Sequence, residues 1–364
     1  SGFTDAPEKF HLAVLFTRLT FPYLLLISLV SLMGGVLNSL GRFAAAAATP
    51  ILFNLCLIGA VLLLAPHLPT PGHALAWGVT VSGILQFVWL MESCRRAGVR
   101  LRLPMPRLTP EVKRLIGLML PATLVPGAAQ LNQEVGRLLA SLLPSGSISY
   151  LFYADRLNQL PLGVIGIAFG TALLPVLSSQ VAAGDEKGAN ASQNRSLELG
   201  MLLTLPATAA LLAIPYSLVG VLFQRGAFGL AETNATAEAL MGYALGLPAF
   251  VLIKVLVPGL YARHDTRTPV RIALVAVAAN LVLNLSLMWP LKHIGLALAV
   301  SLAAWLQTVM LAVTLHRRGH WRADRRLKQR LPRTLAATLV MAAGLILAAD
   351  FLAPLLQGRG PLRF

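Results

Sequence analysis

The chain has few charged side chains. Only 12% of its 364 residues are Asp, Glu, Lys or Arg, whereas 56% are hydrophobic. An ordinary soluble domain has about 25% charged residues, so this chain has too few of them to cover a water-facing surface. A lipid bilayer is therefore the expected solvent for most of its surface.

Cysteines and the usual signatures of catalysis are also scarce. The two cysteines, Cys56 and Cys94, form no metal-ligand cluster, so we assign both to packing. The sequence contains no HExxH or CxxC motif, no GxSxG nucleophile elbow and no GxxxxGK(S/T) phosphate loop. We therefore expect neither an ATPase nor a cofactor.

The first residues of the chain also lack a familiar pattern. The chain begins with Ser1 instead of Met, and its first residues lack the basic-then-apolar pattern of a signal peptide. We therefore expect the chain to be a fragment that is cut at its start.

Apolar stretches, by contrast, recur from end to end. A helix needs about 20 mostly apolar residues to cross a hydrocarbon core of ~30 Å. Apolar periodicity, interrupted by Pro, Gly and basic clusters, predicts ten such helices. The predicted spans are 10–41, 45–65, 73–94, 111–143, 147–181, 196–222, 233–262, 268–289, 293–316 and 333–354. The expected fold class is an all-α polytopic membrane protein.

Lys and Arg are concentrated in every second connection between these spans, most of all in 95–114 and 317–333. Because short cytoplasmic loops hold the excess of basic residues, this alternation predicts cytoplasmic basic loops and outward-facing ends of the chain. The net charge of +16 then favours anionic lipid headgroups as partners. No interleaved aromatic residues point to nucleic acid, which we exclude as a partner. Segment 317–333 is interpreted as a basic interfacial connector that anchors the topology, or alternatively as a lipid site.

One arginine lies unusually deep in a predicted span. Arg156 follows Asp155 in the sequence YADRL, about nine residues into span 147–181. A cation at this depth costs at least ~2.5–3.5 kcal/mol unless it faces water or a partner. The planar guanidinium fits phosphate oxygens, which favours a substrate-binding role. The alternative is a packing role in which Arg156 pairs with Asp155 or Glu134.

Five further charged residues inside predicted spans are weaker candidates for substrate binding, namely Asp155, Glu134, Arg137, Arg18 and Lys254. Glu134 and Arg137 are three residues apart, so they share a helix face and can neutralise each other. Arg18 and Lys254 each lie shortly before a proline, where a kinked helix can form a cavity. One interpretation is that their side chains line such a cavity. The alternative is that these long side chains reach the membrane interface.

Three stretches of the chain resemble one family of membrane proteins. The stretches are RLTFPYLLLISLVSLMGGVLNSLGRF, LPSGSISYLFYADRLNQLPLGVIGIAFGTALLPVLS and VLVPGLYARHDTRTPVRIA. They are similar to the MurJ (MviN) lipid II flippases of the MOP exporter superfamily, and the resemblance runs from Ser1 to about Pro354.

The resemblance implies a two-lobed, MOP/MATE-like bundle. Family members have fourteen membrane helices. Twelve of them form two lobes of six helices each, and the last two follow the second lobe. On that pattern the chain lacks the first three helices and the last. The expected organisation is the remainder of the N-terminal lobe in 1–105, the C-terminal lobe in 106–320, and the basic connector with one helix in 321–364.

The resemblance also implies a substrate and a site. Family members bind undecaprenyl-diphosphate-linked disaccharide pentapeptide (lipid II) in a central cationic cavity that opens alternately to either side, and the arginine of their YADR motif matches Arg156. We expect a monomer in the bacterial inner membrane that serves cell-wall synthesis. Some members bind sodium through one amide and two acidic side chains. In this chain Asn280 matches the amide, but Asn284 and Gly136 replace the two acids. We therefore expect no sodium site.

Three alternative functions predict different features. An O-antigen or drug exporter of the same superfamily would lack the YADRL and DTRTPV signatures. A polyprenyl-dependent membrane glycosyltransferase would show paired acidic residues in an outward loop. A structural scaffold would tolerate Arg156→Ala.

Overall fold

The computed structural model describes residues 7–99, 110, 113, 130 and 133–357, without the side chains at 166–172, 350 and 352–357. Its residues fall into two compact units, Phe3–Leu115 and Ile116–Phe364, called here the first and the second unit. Every regular element of the described residues is a helix. The predicted all-α class is therefore confirmed.

The first unit is organised around one long helix. Its helices are α1 (Pro7–Thr20), α2 (Pro22–Ser39), α3 (Phe43–Ala47), α4 (Thr49–Gly59) and α5 (Pro71–Arg96). Proline stands in the first turn of α2, α4 and α5, where the missing N–H would have no helical partner. Buried Met33 and Leu37 of α2 pack against Leu90 and Cys94 of α5, in line with the packing role expected for Cys94.

The second unit contains the longest helices of the described residues together with shorter ones. They are α6 (Ser147–Ala182), α7 (Glu186–Ala213), α8 (Pro215–Phe223), α9 (Leu230–Ala244), α10 (Leu247–Tyr261), α11 (Arg267–Arg317) and α12 (Arg325–Gln357). Gly146, at φ 99°, precedes α6 in a left-handed conformation that suits glycine. Asp185 caps α7 by accepting a hydrogen bond of 2.8 Å from the Gly188 amide.

Helix α11 consists of two helical segments joined by a sharp bend. Lys292 departs from helical geometry, with φ 49° and ψ −130°. A Cβ atom placed on Gly295 would lie 2.2 Å from the carbonyl oxygen of Leu287. Eight residues of straight helix would separate these positions by about 12 Å, so the chain folds back here. The bend lies between the predicted spans 268–289 and 293–316.

Helices α9 and α11 approach closely through small residues. Cβ atoms on Gly242 and Gly246 would lie 2.9 Å from the Cβ of Ala297 and 2.5 Å from the Oγ of Ser301. The Ser301 hydroxyl donates a hydrogen bond of 2.6 Å to the Gly242 carbonyl. Small residues with a hydrogen bond between helices are the usual packing solution where no hydrophobic effect drives association in lipid.

Seven helical segments of the described residues are long and apolar enough to cross a membrane. They are Pro7–Ser39, Phe43–His67, Pro71–Arg96, Glu186–Ala213, Leu230–Tyr261, Arg267–Arg317 and Arg325–Ala349. The predicted span 111–143 lies largely outside the described residues. Span 147–181 corresponds to α6, part of whose side chains are outside the description.

Two predicted helix starts are wrong. Helix α7 begins at Glu186 instead of residue 196, and α12 begins at Arg325 instead of residue 333. The predicted span 196–222 is also interrupted at Ile214, where α7 ends before Pro215. Both early starts are polar, so apolar periodicity does not reveal them.

These two polar starts bind each other through a group of charges, called here the ion-paired cluster: Arg195, Glu198, Asp324, Arg326 and Arg330. The Glu198 carboxylate accepts from Arg330 at 2.6 Å, lies 3.2 Å from Arg326 and also pairs with Arg195. Arg195 pairs with Asp324 as well. The Glu198 side chain is only 11% exposed, so the cluster fixes the start of α12 on α7.

Candidate substrate site on helix α6

Helix α6 places Arg156 far from its own start. Nine residues separate it from Ser147, which is about 13 Å along a helix and close to half of a ~30 Å bilayer core. The Arg156 side chain is exposed on its helix face. An arginine at this depth needs a compensating partner.

The partners of Arg156 are neutral. Its guanidinium carbon lies 4.8 Å from the centroid of the Phe152 ring, one turn earlier on α6. Its Nη1 donates a long hydrogen bond of 3.4 Å to the Oε1 of Gln159. Among the described residues no carboxylate forms an ion pair with Arg156. The pairing with Asp155 or Glu134 that a packing role required is not seen.

Both of those acids have other partners. Glu134 accepts from the Nη1 of Arg137 at 2.5 Å, as their spacing predicts, and from Gln130 at 3.1 Å. The half-buried Asp155 accepts a hydrogen bond from the side-chain amide of Gln159. Glu134 and Arg137 thus neutralise each other, whereas Asp155 is held by the Gln159 amide.

Asp155 faces a cavity of about 350 Å³ inside the second unit. Its polar lining includes Gln133, Arg137, Asp155, Tyr243, Asn280 and Asn284. Asn284 donates to the Oδ1 of Asn280 at 3.0 Å, and its own Oδ1 is buried with no partner among the described residues. The structure therefore brings the polar side chains of Arg137, Asp155, Asn280 and Asn284 together around one largely apolar cavity.

The sodium prediction concerns this same cavity. Gly136, Asn280 and Asn284 all line it. Asp155 is the one carboxylate among the lining residues, and the described residues contain no group of three or more His, Cys, Asp or Glu side chains placed to hold a metal. That sodium is not bound here stays a prediction.

Arg18 and Lys254 are not part of this arrangement. Arg18 lies in the last turn of α1 in the first unit, and Lys254 lies on α10. Both side chains are exposed, and neither lines the described cavity. Their predicted role in substrate binding stays a prediction.

The sequence reasoning missed Phe152, Gln159, Gln133 and Tyr243. A local signal existed for Phe152 and Gln159, since positions four before and three after Arg156 share its helix face. The contributions of Gln133 and Tyr243 depend on how separate helices pack, which spacing along the chain does not reveal.

Comparisons with known proteins point in one direction. The family model described as "Lipid II flippase MurJ" matches residues 1–358. A "Probable lipid II flippase MurJ" of Rhizobium meliloti (strain 1021) is 45% identical over 99% of this chain and 68% of its own length. One of Rhizobium tropici is 43% identical over 98% of this chain and 67% of its own. The match to residues 1–358 gives no support to the expected lack of helices, which stays a prediction.

A solved structure has the same fold. "Lipid II flippase MurJ, inward closed conformation" superposes with a TM-score of 0.75, and the match covers 96% of this chain and 76% of that one. The sequence identity is 22%, so this likeness shows the fold alone. That fold is a polytopic membrane bundle.

Proposed function

The chain belongs to the lipid II flippase MurJ family, and on that premise we propose that it flips lipid II across the bacterial inner membrane for peptidoglycan synthesis. It acts as a transporter and not as an enzyme. The observation that carries the proposal is the family match over residues 1–358, combined with an arginine deep in α6 that has no acidic partner among the described residues.

Arg156 is the group that we assign to the diphosphate of the substrate. A guanidinium at bilayer depth is costly unless an anion or water compensates it. Phe152 and Gln159 steady the side chain but leave its charge in place. A diphosphate supplies the missing anion and accepts paired hydrogen bonds from the planar fork. Loss of this anion on release restores the unpaired state, so binding is reversible.

Transport then follows from alternating access. The remainder of the N-terminal lobe, in 1–105, and the C-terminal lobe, in 106–320, rock about the headgroup and open the site to one side at a time. The connector and helix of 321–364 follow the C-terminal lobe. The two compact units of the chain support a division close to this one. Asp155, Arg137, Glu134, Arg18 and Lys254 are proposed to line the path of the headgroup.

The orientation is proposed from charge. The basic connections, including 317–333, face the cytoplasm and contact anionic lipid headgroups, while the ends of the chain face the periplasm. Lipid II therefore moves from the cytoplasmic to the periplasmic leaflet. The protein works as a monomer, because each step requires only one site.

The test uses cells depleted of their own flippase. The full gene product is expressed as wild type, Arg156→Ala or Arg156→Lys, and surface exposure of lipid II is assayed at equal protein level. We expect wild type to restore exposure and both variants to lose it, since lysine has no planar fork. Arg225→Ala is the matched control, because Arg225 is exposed and its side chain donates only to the nearby Leu222 carbonyl in this structure.

Two results would contradict the proposal. A wild-type protein that restores no surface exposure would remove the flippase function. An Arg156→Ala variant that works as well as wild type would leave the function standing but make Arg156 a packing residue.

A further inference from the structure

We propose that Gln159 is a positioning residue that keeps the Arg156 guanidinium apart from Asp155, and so open to the substrate, by bonding to both side chains. The inference rests on the proposed function. It concerns Arg156 and Asp155, which leave the helix in different directions but bond to the same glutamine side chain.

The position of Gln159 on α6 gives it access to both neighbours. It lies four residues after Asp155 and three after Arg156, the two spacings at which helical side chains meet. A glutamine amide has one acceptor oxygen and one donor nitrogen. Its oxygen accepts from Nη1 of Arg156 at 3.4 Å, and its nitrogen donates to Oδ2 of Asp155. Both ends of the amide are therefore in use.

The consequence is electrostatic. A direct ion pair between Asp155 and Arg156 would neutralise the cation that the diphosphate needs. Gln159 satisfies the Asp155 carboxylate with a neutral donor, which removes the reason for that carboxylate to turn toward the guanidinium. A glutamate at the same place would do the reverse, because it would pair with Arg156 and repel Asp155.

Phe152 completes the arrangement on the other side. The Arg156 guanidinium is 4.8 Å from that ring and within hydrogen-bond distance of Gln159, so it is held one turn on either side along α6. Arginine has five N–H donors, and the structure assigns one of them to Gln159. The other donors remain available for phosphate oxygens.

Two substitutions separate this idea from a simple packing role. Gln159→Met keeps the size of the side chain and removes both hydrogen bonds. Gln159→Glu keeps the acceptor and adds a charge that would pair with Arg156. The full protein is placed in lipid nanodiscs, and its binding of undecaprenyl diphosphate and of undecaprenyl monophosphate is measured together with its thermal unfolding midpoint.

We expect wild type to prefer the diphosphate. Gln159→Met should weaken diphosphate binding about three- to tenfold, and Gln159→Glu should weaken it more, because each lost or misdirected bond to a charged group costs about a factor of ten. Binding of undecaprenyl monophosphate should change less, because fewer phosphate oxygens of this lipid contact the Arg156 guanidinium. The unfolding midpoint should stay within the range of wild type.

The outcomes are distinguishable. If wild type binds the diphosphate and Arg156→Ala loses it, while both Gln159 variants bind like wild type, the positioning role is wrong and the proposed function stands. If Gln159→Met and Gln159→Glu weaken both lipids equally and lower the unfolding midpoint, Gln159 is only a packing residue. If wild type binds neither lipid, or Arg156→Ala binds like wild type, the proposed function of Arg156 fails and this inference fails with it.

Discussion

Arginines occupy two contrasting environments in the second unit. In the ion-paired cluster, Arg195, Arg326 and Arg330 converge on the single carboxylate of Glu198, which is only 11% exposed. On α6, Arg156 contacts an aromatic ring and an amide, and no acid among the described residues pairs with it.

The contrast separates arginines that stabilise the fold from an arginine that is available to bind a ligand. An arginine that shares a carboxylate between two helices fixes one helix on the other. An arginine that is steadied by neutral groups adds little to stability but keeps its charge for an anion. We therefore expect substitutions in the ion-paired cluster to change stability, and substitutions at Arg156 to change transport.

The largest effect on stability is expected for Glu198→Gln. The change leaves three arginines without their shared acid. Because water partly compensates the half-exposed Arg326 and Arg330, we expect the free energy of unfolding to fall by roughly 2–4 kcal/mol, less than for a fully buried pair. Thermal or denaturant-induced unfolding of the protein in detergent measures this loss. The matched control is Glu92→Gln, because Glu92 is exposed and its ion-pair partner among the described residues is Arg96 on its own helix; the loss should be far smaller there, since water screens exposed pairs. If Glu198→Gln and Glu92→Gln lowered the free energy of unfolding equally, the ion-paired cluster would have no special role in stability.

A smaller loss is expected for Asn194→Ala. The Asn194 side chain is fully buried. It donates to the Arg322 carbonyl at 2.9 Å and accepts from Trp321 Nε1 at 3.1 Å. Losing both bonds should lower the free energy of unfolding by about 1–3 kcal/mol. Asn38→Ala, on an exposed face of α2, is the control, and an Asn194 variant as stable as the control would show that the connector does not depend on this contact.

The pH dependence of stability offers a further test in the same region. In the loop before α11, hydrogen bonds from Thr268 and the charge of Arg318 hold the pKa of Asp265 well below its usual range. A carboxyl with a lowered folded-state pKa stabilises the protein above its unfolded pKa of about 4 and loses that contribution as the pH falls below it. The unfolding midpoint should therefore drop between pH 5 and pH 3, and Asp265→Asn should make this part of the profile flatter. An identical profile for the variant would remove Asp265 as the cause.

The smallest effect on stability is expected for Arg156→Ala. Its contacts are one long hydrogen bond and one ring contact on an exposed helix face. Its removal should change the free energy of unfolding by no more than about 0.5 kcal/mol. The same unfolding assay checks this, and a loss comparable to that of Glu198→Gln would return Arg156 to a structural role.

Apolar periodicity was a good guide to the helices and a poor guide to their polar ends. It placed spans 45–65 and 73–94 on Phe43–His67 and Pro71–Arg96. It missed the starts at Glu186 and Arg325, because those turns are charged and are stabilised by contacts between residues far apart in sequence, such as Glu198 with Arg330.

The candidate site was only partly predictable. The depth of Arg156 within an apolar run identifies it, because charge at that depth is costly. The bond from Arg156 to Gln159 follows from helical spacing once Arg156 is singled out. The cavity that joins Asp155 to Tyr243 and Asn280 depends on the packing of three helices, which the pattern of one chain does not specify.

One measurement tests the central claim most directly. The full protein, as wild type and as Arg156→Ala, is reconstituted into proteoliposomes, and the rate of lipid II flipping and the unfolding midpoint are measured on the same preparations. The account predicts a fall in rate of at least about tenfold, the loss of one charge-assisted contact to the diphosphate, at an unchanged midpoint. An unchanged rate, or a rate that falls only in step with the midpoint, would contradict it.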